Sequence, residues 1–136
     1  MKLQRQQQGL ATVEFAIVGT LLLTILFGIC DMAILLCDQA IITNASWGAT
    51  RSGVVYKVPP ITDTQIQAVA TNYCSDLMNS KTGITPTVTV THLTADAIGL
   101  PLKVNVTYNY SYFVLNKLLG LPNPITLSAT STMYYE

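Results

Sequence analysis

The junction between a polar N-terminal leader and a long apolar run holds the residues with the clearest chemistry. Gly9 closes the leader, and Glu14 lies five residues later inside the apolar run. A carboxylate at mid-membrane depth costs about 2.5 to 3.5 kcal/mol, so this position needs an explanation. One hypothesis is that a membrane peptidase cuts after Gly9, and that the new amine of Leu10 pairs with Glu14 of a neighbouring subunit. The alternative is that Glu14 extends its carboxylate to the cytoplasmic boundary of the membrane.

A second pattern in the apolar run is a small residue at every fourth position, which lets helix backbones approach closely. A four-residue step drifts around a helix of 3.6 residues per turn, so this small-residue row suits a crossing helix better than a parallel one. In a run rich in Leu, Thr and Gly, the same row can also arise by chance. The row consists of Thr12, Ala16, Thr20, Thr24 and Gly28.

The other titratable residues form no recognisable catalytic or metal-binding pattern. The many Ser and Thr residues lack a partnering base, and the acids are scattered along the chain. His92, the single histidine, is expected to end a strand at the surface, without the spacing of a metal site. The net charge of zero and the lack of a basic block argue against nucleic-acid binding. We therefore expect no enzyme activity, no cofactor and no small-molecule substrate.

The cysteines leave several roles open. Cys30 and Cys37 share a helix face in or near the membrane, which favours core-like packing over a disulfide. Cys74 falls in a part of the chain expected to lie in an oxidising compartment. Its pairing with Cys37 or with a cysteine of another chain therefore stays open.

The apolar run predicts one N-terminal transmembrane helix. Hydrophobic residues make up 50% of the chain and charged residues 10%, which is a low charge content for a soluble protein. The run from Phe15 to Cys30 has no charge but covers only about 24 Å as a helix, so the span must either include Leu10 to Glu14 or extend past Asp31, and we favour the first. Lys2 and Arg5 precede the span, which predicts a cytoplasmic N-terminus and an external C-terminal domain.

The long helix is predicted to occupy residues 10–57, because no proline occurs before Pro59. A second helix is predicted over Asp63–Lys81, since Thr62 and Gln65 have capping-box spacing. The outer half of the long helix should pack against the domain through Ile41, Ala45, Gly48, Ser52 and Val55. The second helix should use an apolar stripe of Ile66, Val69, Ala70, Tyr73 and Leu77.

After the second helix the apolar residues alternate with period two, which predicts three strands. The strands lie around Thr87–Thr91, Leu102–Tyr112 and Ile125–Met133, with a helical turn at Val114–Gly120 between the last two. The fold class is therefore α+β, in which residues 58–136 form a small domain with a three-stranded antiparallel sheet covered by helices.

Four aromatic residues can either fill the core of this domain or form an exposed patch for a partner. Core packing is favoured because three of them alternate along one strand. Their enrichment at protein interfaces keeps the second interpretation open. They are Tyr108, Tyr110 and Tyr112 of the second strand and Trp47 of the long helix.

The Gly9-to-Glu14 junction resembles the type III, prepilin-like signal of the type IV pilin superfamily. Gly9–Gly28 (GLATVEFAIVGTLLLTILFG) and Ser46–Val54 (SWGATRSGV) are similar to the TadE-like family of minor pilins or pseudopilins from tight adherence (Flp/Tad) pilus systems. The tail resembles this family too, in the segments VNVTYNYSY (104–112), LLGLP (118–122) and ITLSATSTMYYE (125–136). One difference is that no basic residue follows Asp31 until Arg51.

This resemblance implies a subunit whose leader, residues 1–9, is removed by a prepilin peptidase. It implies a bacterial inner-membrane protein with a periplasmic domain, which assists pilus assembly or initiation and surface adherence. Implied partners are other minor pilins, the major Flp pilin and the pilus assembly platform. An alternative is an uncut, permanently anchored periplasmic adaptor of a secretion machine. An anchored enzyme or ligand-binding domain is a third hypothesis, for which the sequence offers no site.

Overall fold

The computed structural model describes residues 2–55, 59–78, 85–92, 99–122 and 124–135. It confirms the predicted α+β fold, with a long N-terminal helix, a second helix and a three-stranded antiparallel sheet. The elements in chain order are α1 (Lys2–Val54), α2 (Asp63–Leu77), β1 (Thr87–His92), β2 (Pro101–Tyr110), α3 (Leu115–Leu119) and β3 (Ile125–Tyr134).

The chain divides into two compact units. The first unit comprises Met1–Ile34 and Tyr112–Pro122, and the second comprises Leu35–Ser111 and Asn123–Glu136. Helix α1 contributes residues to both units, and the segment with α3 belongs to the first unit although it separates two strands of the second.

In the first unit, α1 presents its apolar side chains outward. Among the described residues, α1 is the one helix long and apolar enough to cross a membrane, and only 6% of its apolar window is buried. A core helix of a soluble protein would be mostly buried, whereas here Phe15, Ile17 and Leu22 are all exposed. These features indicate a single-pass membrane anchor.

In the second unit, the sheet is a meander in the order β1-β2-β3. Both pairings are antiparallel, with Val90 opposite Val104 and Val106 opposite Ala129. Strict alternation sends one set of side chains inward and leaves the other at the surface. The buried set consists of Leu102, Val104, Val106, Tyr108, Tyr110, Leu127 and Ala129.

The buried face of α1 in the second unit differs from the predicted one by about one residue. Of the predicted face (Ile41, Ala45, Gly48, Ser52 and Val55), only Ala45 is buried. Two polar side chains belong to the observed face because their hydroxyls are bonded internally: Ser46 donates to the Val104 carbonyl at 2.8 Å, and Thr50 donates to the Ser46 carbonyl at 2.7 Å. The predicted face contained Ser52, so Ser46 and Thr50 were missed because the face was placed about one residue away and not because they are polar. The observed face is Ile42, Ala45, Ser46, Ala49, Thr50 and Val54.

Helix α2 begins where predicted and ends earlier. The Thr62 amide donates to the Gln65 side-chain oxygen at 3.1 Å, as the capping-box spacing predicts. The helix ends at Leu77 instead of Lys81, and Lys81 itself lies outside the described residues. The predicted stripe is also too wide, since Val69 and Tyr73 are exposed. The buried residues are one full turn apart, at Ile66, Ala70 and Cys74.

The aromatic residues divide between the two interpretations. Tyr108 and Tyr110 are buried in the core as predicted. Tyr112 lies beyond the end of β2 and is half-buried in the first unit. The core interpretation is wrong for Trp47, which is 50% exposed and has the Arg51 guanidinium 5.4 Å from its ring centroid. Trp47 is two residues from Ala45 and from Ala49, which places it about 200° around the helix from these buried alanines.

Gly53 is expected to tolerate alanine poorly. A Cβ at this position would lie 2.5 Å from Leu102 Cδ2 and 2.8 Å from Ile66 Cδ1, whereas a Cβ at Gly48 meets nothing within 4 Å. Both alanines gain helix propensity, but only Gly53→Ala overpacks the core, so it should be less stable than Gly48→Ala by about 2 kcal/mol. Denaturant unfolding of the two full-length variants in detergent measures this difference. Equal stabilities would mean that the side chains of Leu102 and Ile66 can move aside without a loss of stability.

Candidate functional site

The predicted processing site lies within the backbone of α1. This helix runs continuously from Lys2 through Gly9 and Leu10 and beyond Glu14. The Glu14 side chain is exposed, so its carboxylate is accessible to a group from another chain. Cleavage after Gly9 and the pairing role of Glu14 stay predictions.

The small-residue row divides along its length. Thr12, Ala16 and Thr20 are exposed, whereas Thr24 and Gly28 are half-buried. The Thr20 hydroxyl donates to the Ala16 carbonyl at 2.7 Å, and the Thr24 hydroxyl donates to the Thr20 carbonyl at 2.8 Å. Both hydroxyls are therefore satisfied within the helix, which makes them compatible with a lipid or helix surface.

Gly28 has a neighbour in its own chain. A Cβ at this position would lie 3.6 Å from Leu115 Cδ2 of α3, which is ordinary contact distance. A methyl group would therefore fit at Gly28, and the observation shows only that Leu115 of α3 lies close to this turn of α1 within the first unit. The remaining positions of the row, from Thr12 to Thr20, stay available to another helix.

Asp31 is a buried acid of the first unit whose hydrogen-bonding role was not predicted from the sequence. It is 2% exposed, and its carboxylate accepts three backbone amides from the segment that starts α3. Oδ1 accepts from Phe113 at 3.3 Å, and Oδ2 accepts from Val114 at 3.1 Å and from Leu115 at 3.0 Å. Asp31 therefore caps a helix that is more than eighty residues away in the chain. We call these three bonds the Asp31 clamp.

A signal for the clamp exists in the sequence. The predicted turn at Val114–Gly120 has no Ser, Thr, Asp or Asn immediately before it to accept the first amides. An acceptor must then come from elsewhere, and a carboxylate on a long apolar helix is well suited to this role. The other end of α3 is closed locally by Gly120, which has a φ of 63° and donates its amide to the Asn116 carbonyl at 2.9 Å.

The three cysteines are free. Core-like packing of Cys30 and Cys37 is not observed within the chain, since both are exposed. Cys74 is fully buried, and this burial raises the pKa of its thiol to about 11. A buried, protonated thiol is a poor nucleophile, so the structure disfavours a disulfide from Cys74 to another chain.

His92 ends β1 as predicted, but it is more than a surface residue. Its Nε2 lies 2.7 Å from Asp63 Oδ1, and its Nδ1 lies 3.2 Å from the Tyr135 hydroxyl. The half-buried ring therefore links β1 to the first turn of α2 and to the residue after β3. The sequence did not indicate these partners, because Asp63 and Tyr135 come from distant parts of the chain. Within the described ranges, no group of three His, Cys, Asp or Glu side chains is placed to hold a metal ion.

The fold and the site together define a single-pass, membrane-anchored α+β protein with an exposed apolar helix. Comparison with family models gives a match to residues 9–51, described as TadE-like protein. This match confirms the resemblance seen in the N-terminal helix, and it does not extend to the sheet. No match was found among curated proteins or among solved structures.

Proposed function

We propose that this chain is a minor pilin or pseudopilin of a Tad (Flp) pilus, and that it acts by assembling with other subunits and not by catalysis. The observation that carries the proposal is the coincidence of the TadE-like match with α1. The match covers residues 9–51, and the half of this helix nearest the N-terminus presents its apolar side chains outward. In this role the chain assists the assembly or initiation of the pilus and its adherence to surfaces.

The exposed half of α1 supplies an assembly surface. Val13, Ala16, Ile17 and Thr20 line a shallow apolar groove on this helix. In lipid, helices associate through close packing of such surfaces, because lipid tails and apolar side chains are equally hydrophobic. The groove includes Ala16 and Thr20, two exposed members of the small-residue row, so a crossing helix from another subunit can approach here.

The charged groups near the N-terminal end of the same helix can set the axial alignment between neighbouring subunits. In the proposed sequence of events, a prepilin peptidase cuts after Gly9, and the amine of Leu10 then pairs with Glu14 of a neighbour. Two opposite charges in a low-dielectric setting fix the axial position of one helix against the next. The N-terminus is cytoplasmic and the sheet domain periplasmic in this account, in agreement with Lys2 and Arg5 before the span.

Photo-cross-linking from two positions of α1 tests the proposal in native membranes. A photoreactive residue at Ile17, which is 67% exposed, should form adducts with the major Flp pilin or another TadE-like subunit. The matched control is Ile42 on the same helix, which is fully buried against its own domain and should form none. Adducts from Ile17 with lipid alone would contradict assembly through this helix.

A further inference from the structure

We propose that the segment Tyr112–Pro122 is a second membrane contact, which lies in the outer lipid interface with Phe113 inserted into the bilayer. This inference rests on single-pass anchoring by α1 and not on the pilin assignment, so its failure would leave the proposed function standing. The occupant is the lipid bilayer itself, because the segment packs beside the membrane span in the same unit.

The position of the segment follows from two contacts with α1. Leu115 approaches Gly28, and the Asp31 carboxylate binds the amides of Phe113 to Leu115. A span that begins near Leu10 reaches Cys30 after about 30 Å, the thickness of the hydrocarbon core. The segment therefore lies at the level where the span leaves the hydrocarbon, and its surface continues that of the anchor.

The composition of the segment suits this level. Its sequence, YFVLNKLLGLP, has eight apolar or aromatic side chains besides Gly120 and a single charge, Lys117. Phe113 is 81% exposed, the highest value among the large hydrophobic residues of the described chain. An aromatic ring in this position gains free energy at a membrane interface, where Lys117 can extend its ammonium group to lipid phosphates.

Several backbone amides of the segment are hydrogen-bonded within the protein, as a medium poor in water requires. An amide left without a partner in lipid costs several kcal/mol. The Asp31 clamp satisfies the amides of Phe113, Val114 and Leu115, while the amides of Lys117 and Gly120 bond to carbonyls of the segment at 3.1 and 2.9 Å. The clamp thus explains why an acid is buried at the end of the span.

Depth-dependent fluorescence quenching tests the inference. The substitution Phe113→Trp is made in a Trp47→Phe background, so that position 113 carries the one indole, and the full chain is reconstituted at high dilution in phosphatidylethanolamine and phosphatidylglycerol vesicles. We expect the emission to shift to the blue, and to be lost when the lipids carry bromine near the headgroup end of their chains. Aqueous iodide should quench little.

The unsubstituted protein, with Trp47 in the sheet unit, is the control and should keep its emission in brominated vesicles. Quenching of position 113 by iodide and not by bromine would place Phe113 in water and overturn the inference. Insensitivity to both quenchers would show that Phe113 packs against protein, including a second copy, and would overturn it equally.

Discussion

Replacing Asp31 with leucine is expected to raise hydrogen exchange at the amides of Phe113, Val114 and Leu115 by about 100-fold. Leucine has the same branched outline, with two larger methyl groups in place of the carboxylate oxygens, but it accepts no hydrogen bond, so three buried or half-buried amides lose their partner. Each buried amide left unsatisfied costs about 1 to 3 kcal/mol, and a total of about 3 kcal/mol corresponds to a 100-fold faster opening. Exchange of the full chain in detergent, followed by mass spectrometry, measures the effect.

Two variants make the Asp31 experiment specific. Asp31→Asn keeps one acceptor oxygen and should raise exchange by only about 10-fold, because charge-assisted bonds are roughly twice as strong as neutral ones. Asp38→Leu removes another buried acid of α1 and should leave these amides unchanged, since their bonds are made to Asp31. Normal protection in Asp31→Leu would refute the clamp.

Replacing Glu14 with alanine is expected to leave the chain in the membrane while reducing its recovery with partner pilins by more than 10-fold. The anchor keeps its apolar residues, so insertion is unaffected. The proposed partner amine would remain buried without its counter-charge, and loss of one member of a buried ion pair costs about 3 to 5 kcal/mol. Co-purification from native membranes with the major Flp pilin provides the measurement.

Glu14→Asp is the matched variant, since it retains the negative charge at the same position and should keep most of the recovery. Thr12→Ala tests packing apart from charge, because it preserves a small side chain on the same turn. Unchanged co-purification of Glu14→Ala would remove the role given to this carboxylate, and Glu14 would then be an acid at the membrane boundary.

Local patterns in the sequence predicted most of the fold. The period of two in TVTVT, repeated in β2 and β3, predicted which side chains point inward. The structure buries these side chains in β2 and at Leu127 and Ala129 of β3, whereas Val88 and Val90 of β1 are half-buried. The absence of proline before Pro59 predicted the long helix, whose end at Val54 falls close to the expected position. These features depend on neighbours in the chain and are therefore visible without a structure.

Features that depend on distant contacts were missed or misplaced. Asp31 was visible only as an acid near the membrane exit, because its three donors come from another part of the chain. The predicted buried face of α1 was rotated by about one residue from the observed one, in which Ser46 is buried and bonded to the Val104 carbonyl. The bonds of His92 to Asp63 and Tyr135 were not predicted for the same reason. In each case a polar side chain is satisfied by a partner that periodicity does not indicate.

The central claim is that the chain is a processed pilin-like subunit, and the intact mass of the protein from its own membranes tests this claim most directly. The protein is purified from a strain with the prepilin-type peptidase and from one without it. We predict that residues 1–9 are lost only when the peptidase is present, which leaves Leu10 as the new N-terminus. An uncut chain in both strains would contradict the claim and would identify a permanently anchored adaptor.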